Sequence, residues 1–148
     1  MGAYEKKLLQ AAEGGGGGRL DVALVRRWWK QPQFRDATAN RIQQALSRFP
    51  NGTTPQVVFT AHSLPEKIVG SADPYPDELK ASAAEVAVRA GLEKWRFAYQ
   101  SAGATAEPWP GPDAEEVITE LAQAGNTAVL LVPIGFVCDH VEILYDID

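Results

Sequence analysis

The chain reads as an α/β protein, an open parallel sheet with helices on both faces. Two observations predict this. The runs Gln56-Val57-Val58-Phe59-Thr60-Ala61 and Ala128-Val129-Leu130-Leu131-Val132 are almost continuously apolar, the pattern of strands covered on both sides rather than on one. Strand-like and helix-like segments also alternate four times, as right-handed crossovers between parallel strands require.

In chain order, residues 4 to 13 read as a short helix with Leu8, Leu9, Ala11 and Ala12 at helical spacing, ended by the glycines Gly14 to Gly18. That run is a flexible connector. A phosphate-binding loop follows a strand and leads into a helix, whereas here the order is reversed. Leu20 to Val25 alternates weakly and reads as a first strand, followed by Trp28-Trp29 and a loop closed by Pro32. Phe34 to Phe49 is a helix with Ala37, Ile42, Ala45 and Leu46 inward.

The second strand, Gln56 to Ala61, lies between turn signals at Asn51-Gly52 and Ser63 to Pro65, and brings His62 to the sheet edge. Asp73-Pro74-Tyr75-Pro76 is a rigid turn, because each proline fixes its own backbone and biases the residue before it away from helix. Helix follows from Pro76 or Asp77 to about Ala90, with Gly91 placed to end it. Trp95 to Ser101 is the third strand, followed by a Gly/Pro-rich loop through Pro112. Asp113 caps a helix that turns Val117, Ile118 and Leu121 inward and stops at Gly125-Asn126. Thr127 to Pro133 is the last strand, and Asp139 to Asp148 is helical.

A chain of 148 residues is one domain by length and buries roughly two-thirds of its unfolded surface. With 14 basic and 19 acidic residues it carries a net charge of -5, against the concentrated basic face that nucleic acid or an anionic membrane would require. Its single cysteine, Cys138, excludes an internal disulfide and a self-contained iron–sulfur cluster and suits a reducing, cytoplasmic setting. No run approaches the roughly 18 apolar residues that span a bilayer, and no secretory signal is evident.

Both histidines follow predicted strands: His62 after the second, His140 after the fourth, two residues before Glu142. Ligands of open parallel sheets bind beyond the carboxyl ends of the strands, so these groups are expected to face one cleft. On a helix, Asp139, Glu142 and Asp146 share a face at spacings of three and four, where like charges repel mildly and a cation would relieve them. An oxygen-rich track with one imidazole suits iron or zinc, and His62 is the natural imidazole. The plainer alternative is a solvated acidic helix face and a histidine bonded to backbone.

Four segments carry a more specific signal: Phe59-Thr60-Ala61-His62-Ser63-Leu64-Pro65, Asp73-Pro74-Tyr75-Pro76, Tyr99-Gln100-Ser101, and Pro133 through Asp148 with Cys138-Asp139-His140-Val141-Glu142 at its centre. In order, spacing and content they resemble the ferrochelatases, and the likeness reaches upstream through Trp28 to Tyr4. The resemblance implies that residues 1 to 148 form one chelatase-type lobe, the second of the family's two, with the glycines of 14 to 18 as an inserted loop. It further implies that His62 and Glu142 are the catalytic pair that binds ferrous iron and handles porphyrin protons, that Asp146 is an outer metal-binding acid, and that Tyr4 lines the porphyrin pocket. The metal is then a substrate, with no organic cofactor. The segments look most like the bacterial branch that acts on coproporphyrin III. Pro110 departs from the leucine the family usually carries after Pro-Trp.

Insertion of ferrous iron into a porphyrin in haem synthesis is therefore the function expected; a catalytically silent porphyrin- or metal-binding fragment is the alternative. A separate chain bearing the first lobe, or a second copy of this chain, is the expected partner beside the porphyrin. Cys138 is expected to fill a small buried slot, and His140 to orient the turn. Trp28, Trp29 and Trp109 are expected to wall a ligand or to pack, and Ser101 to end its strand at the cleft edge.

Overall fold

The computed structural model describes residues 2–14, 20–69, 73–103, 106–138 and 141–146, with backbone alone for residues 2–4, 14, 142, 145 and 146. Six helices and three strands follow one another: α1 (Gly2–Gly14), α2 (Pro32–Leu46), β1 (Gln56–His62), α3 (Glu66–Val69), α4 (Tyr75–Arg89), β2 (Trp95–Gln100), α5 (Ala114–Gln123), β3 (Val129–Pro133) and α6 (Val141–Asp146). A single 3-10 turn, Trp28–Lys30, precedes α2.

The sheet is parallel, with strand order β2-β1-β3. The apolar run of β1 suits its central place. Five successive residues, Val57 to Ala61, are buried, which only a strand with neighbours on both edges and helices on both faces can achieve. Side chains alternate between two cores. Val57, Phe59 and Ala61 join Tyr99, Val132 and Ile134 beneath α2 and α4, against Ile42, Leu79, Ala83 and Val86. Val58 joins Ala98 on the opposite face, against Ala114, Val117 and Leu121 of α5. Helices thus cover both faces, as the fold class expected from the sequence requires.

Local chemistry sets the helix ends. Asp113 accepts a hydrogen bond from the Glu115 amide at 2.8 Å, and Glu116 reaches back to the Asp113 amide, the reciprocal arrangement that satisfies two otherwise orphaned amides of α5. Past the other end of α5, Gly125 takes φ 85° and Asn126 donates its amide to the Leu121 carbonyl at 3.0 Å, a left-handed stop that glycine adopts without steric cost. On the outer side of the first core, α2 and α4 are joined by Arg35–Glu85 at 2.5 Å and Arg89–Asp36 at 2.9 Å, exposed pairs that add little stability each.

The expected first strand, Leu20 to Val25, does not form: the segment has no regular secondary structure and no ladder partner among the described residues, and Leu20 and Val25 are 69% and 73% exposed. Its weak alternation breaks off at Arg26-Arg27, which offer no apolar face to bury. The described sheet accordingly has three strands where four were expected. Ala39, rather than Ala37, is buried with Ile42 on α2. The segment expected to be a turn, Asp73 to Pro76, already carries the start of α4, because an Asp73 carboxylate oxygen accepts from the Tyr75 amide at 2.8 Å and Pro76 needs no donor in a first turn. Among the described residues, no helix is long and apolar enough to cross a membrane.

Candidate functional site

In a parallel sheet all strands end on the same side, so the residues after β1, β2 and β3 gather there. His62 is the last residue of β1, in register with Gln100, the last of β2. Beyond it the chain is held by backbone bonds: Ser63 donates its amide to the Gln100 carbonyl at 2.8 Å, and Ile134 donates to the Thr60 carbonyl at 2.8 Å. The Tyr75 hydroxyl, from the first turn of α4, donates to the His62 carbonyl at 3.0 Å. The imidazole-bearing position is therefore fixed from both flanking strands and from the helix above. The side chain is half-buried, and its Nδ1 is shielded from solvent.

Two connections border the same end. Helix α3 begins at Glu66, whose amide donates to the Pro108 carbonyl at 3.0 Å, while the Lys67 ammonium pairs with the Glu107 carboxylate. The Tyr99 amide donates to the Pro112 carbonyl at 2.8 Å. The loop preceding α5 is thereby fastened both to the segment after His62 and to the free edge of β2. Trp109 lies against Gly103, where a methyl group would meet its ring at 2.8 Å, so glycine is required at that contact.

The site is lined by polar groups as well as backbone. Thr60 and Ser63 are fully buried and Gln100 is 3% exposed. Tyr99, on the α4 face, has its phenol pKa raised above the ordinary value, first by burial and second by the nearby Asp77 carboxylate.

Of the sequence-derived site residues, His62 lies where it was expected, at a strand end. Glu142 and Asp146 lie on α6, one turn apart, in the segment that follows β3, and Ile143 between them is buried. Tyr4 lies on α1. The side chains of Tyr4, Glu142 and Asp146, and the whole of Asp139 and His140, lie outside what the structure describes. No group of three or more His, Cys, Asp or Glu side chains positioned to hold a metal occurs among the described residues.

Cys138 is exposed, not buried as expected, because it sits in the bend beyond β3 next to Val137, itself 70% exposed. Trp28 packs edge-on against Phe34 at 4.9 Å, and Lys30 lies 5.2 Å from the Trp29 ring, so packing accounts for both. Tyr75, Thr60 and Gln100 escaped the sequence reading as site residues, although each stands within a segment that it singled out.

A parallel α/β sheet with a histidine ending its central strand and an acidic helix after its last strand belongs to the class of folds whose ligands generally bind beyond the carboxyl ends of the strands. Comparison with known proteins then makes the assignment: the ferrochelatase family model matches residues 1–148, and the chain belongs to the ferrochelatase family. A ferrochelatase of Herpetosiphon aurantiacus is 48% identical over 150 residues, which are 100% of this chain and 49% of that protein. The ferrochelatase of Deinococcus radiodurans is 41% identical, with 98% of this chain and 47% of that protein covered. The coproporphyrin III ferrochelatase of Bacillus subtilis is 38% identical over 99% of this chain and 47% of its own length. The chain spans about half the length of the curated relatives it matches.

Proposed function

We propose that this chain is the lobe of a ferrochelatase that delivers ferrous iron to a porphyrin in haem synthesis, with residues 1–148 acting as one unit. The observation that carries the proposal is the position of His62 at the carboxyl end of the central strand, in a chain matched from end to end by the family model. His62 and Glu142 are the proposed catalytic pair and metal ligands, Asp146 an outer acid on the route of the metal, and Tyr4 a porphyrin contact. The names of relatives such as that from Bacillus subtilis favour coproporphyrin III as substrate. The proposed setting is the cytoplasm.

The chemistry suits these residue types. As Fe2+ enters the macrocycle, two pyrrole N–H protons leave, so charge and protons exchange at one place. An imidazole can accept a proton or offer its nitrogen to the arriving metal. The Glu142 carboxylate supplies the negative charge that stabilises a divalent cation and can take the second proton. Asp146, one turn further on, extends that charge outward. The Tyr75 and Ser63 bonds hold the backbone around His62, so that the ring is presented without rearrangement at the moment of reaction.

Because the relatives run about twice as long, the partner proposed for this lobe is either a separate chain with the other half or a second copy. The test is anaerobic incubation with ferrous iron and coproporphyrin III, alone and with the other half of a relative supplied as a separate chain, followed by absorbance. The metalloporphyrin spectrum is expected in the wild type, and His62→Ala is expected to lower the rate by about 100-fold or more, the usual contribution of a positioned acid–base group. A wild-type chain that forms no metalloporphyrin under either condition overturns the proposal and favours a silent binding fragment.

A further inference from the structure

We infer that a second copy of this chain supplies its residues 20–25 as a fourth strand along the free edge of β3. The two edges of the sheet differ. β2 is shielded: its Tyr99 amide donates to the Pro112 carbonyl, Asp113 bridges to Tyr99, and Arg96 pairs with Glu120 at 2.7 Å. β3 pairs with β1 alone among the described residues, and Val129 to Val132 along it carry no charge. An apolar edge of that kind is a template for another strand, and proteins usually blunt it with charges, a proline or a covering segment. Only Pro133, at its end, is of that type.

Beside that edge, α2 and β3 enclose an open apolar groove lined by Ala37, Ala45, Leu130, Leu131 and Val132, with Arg41 its only charged lining residue among those described. Ala37 and Arg41 are exposed, and Arg41 has no ion-pair partner among the described residues. The segment that fits this place belongs to the same sequence. Leu20 to Val25 has no ladder partner among the described residues, leaves Leu20, Leu24 and Val25 exposed, and lines no part of the groove. Laid along β3, it would send Leu20, Val22 and Leu24 to one side and Asp21, Ala23 and Val25 to the other. With the second set toward α2, the one carboxylate of the segment meets the one cation of the groove, and Ala23 fits against the small Ala37 and Ala45. The first set then extends the core under α5 next to Leu131. Within its own chain the segment is held elsewhere: Arg26 pairs with Glu5 of α1, and Arg27 with Glu78 of α4 at 2.7 Å. Helix α4 packs against β2, the opposite edge of the sheet from β3. The exchange is therefore between copies. It is reciprocal, each copy giving one strand and receiving one, which closes a two-fold dimer.

The inference takes up the second copy named with the proposed function but rests on β3 and residues 20–25, not on the iron chemistry, so its failure leaves that function standing with a separate first half as partner. Sedimentation equilibrium of the full chain is expected to show a dimer. Hydrogen exchange at the amides of residues 20–25 and 129–132 is expected to slow as the dimer fraction rises. Asp21→Arg and Arg41→Asp are each expected to raise the dissociation constant about tenfold or more, and the two together to restore it, because the swapped pair recreates the attraction. Both side chains are exposed, so each variant is expected to fold, which circular dichroism checks. A monomer at roughly 100 µM, well above the micromolar constants at the weak end of specific interfaces, overturns the inference. So does a dimer whose dissociation constant neither single variant changes, or one in which residues 20–25 exchange as fast as in the monomer.

Discussion

Tyr75 and Tyr99 show how much single side chains at the strand ends matter. Replacing Tyr75 by phenylalanine removes the 3.0 Å bond to the His62 carbonyl and keeps the ring. A loss of about 1 kcal/mol is expected in urea unfolding, typical of one hydrogen bond. Tyr99 makes a prediction about pH. Its folded pKa lies above the ordinary 10.0, so the unfolded chain loses that proton first as pH rises. The contribution of Tyr99 to stability is then expected to be complete below about pH 10 and to be lost as the pH climbs from there through the raised value. Tyr99→Phe should flatten that alkaline decline in unfolding curves recorded across the range. His62 was legible in the sequence because a continuous apolar run is easy to recognise, and a histidine directly after it must fall at the sheet edge. Tyr75 was not legible as a site residue, since its role depends on the return of the start of α4 over the end of β1, a tertiary contact that no local pattern encodes.

The elements differ in how far their own residues determine them. Helix α5 was legible at both ends because its signals are local: Asp113 with Glu116 at the start, Gly125-Asn126 at the stop. Asp113→Ala is expected to cost about 1 kcal/mol, the usual loss on removing a capping carboxylate. Gly125→Ala should cost about 1–2 kcal/mol, because φ 85° places a side chain against the following carbonyl. Thermal unfolding of the two variants measures both. By contrast, Leu20 to Val25 carried a plausible alternation yet stays outside the sheet, since pairing depends on contacts with distant segments that a local pattern does not encode. The short α3 was equally invisible, being held by the Pro108 carbonyl and the Lys67–Glu107 pair rather than by helical periodicity.

At the scale of the whole molecule, β1 supports both cores at once. Phe59, fully buried between β1 and the α2 and α4 layer, is expected to cost about 3–5 kcal/mol when replaced by alanine, enough to threaten folding altogether. Calorimetry is expected to show one cooperative transition lowered, because both cores share the same strand. The general architecture was legible because two continuous apolar runs require cover on both sides and the intervening amphipathic helices each have one apolar face to supply it. Which strand lies in the middle was not, as the β2-β1-β3 order depends on crossover paths rather than on any one segment. The alternation of β1 between its two cores has a further consequence for natural and laboratory variation. Side chains of like volume and polarity can be exchanged along Val57 to Ala61, whereas their number cannot change. Loss or gain of a single codon there would rotate the imidazole half a turn, into the opposite helical layer, and leave a folded but misdirected histidine.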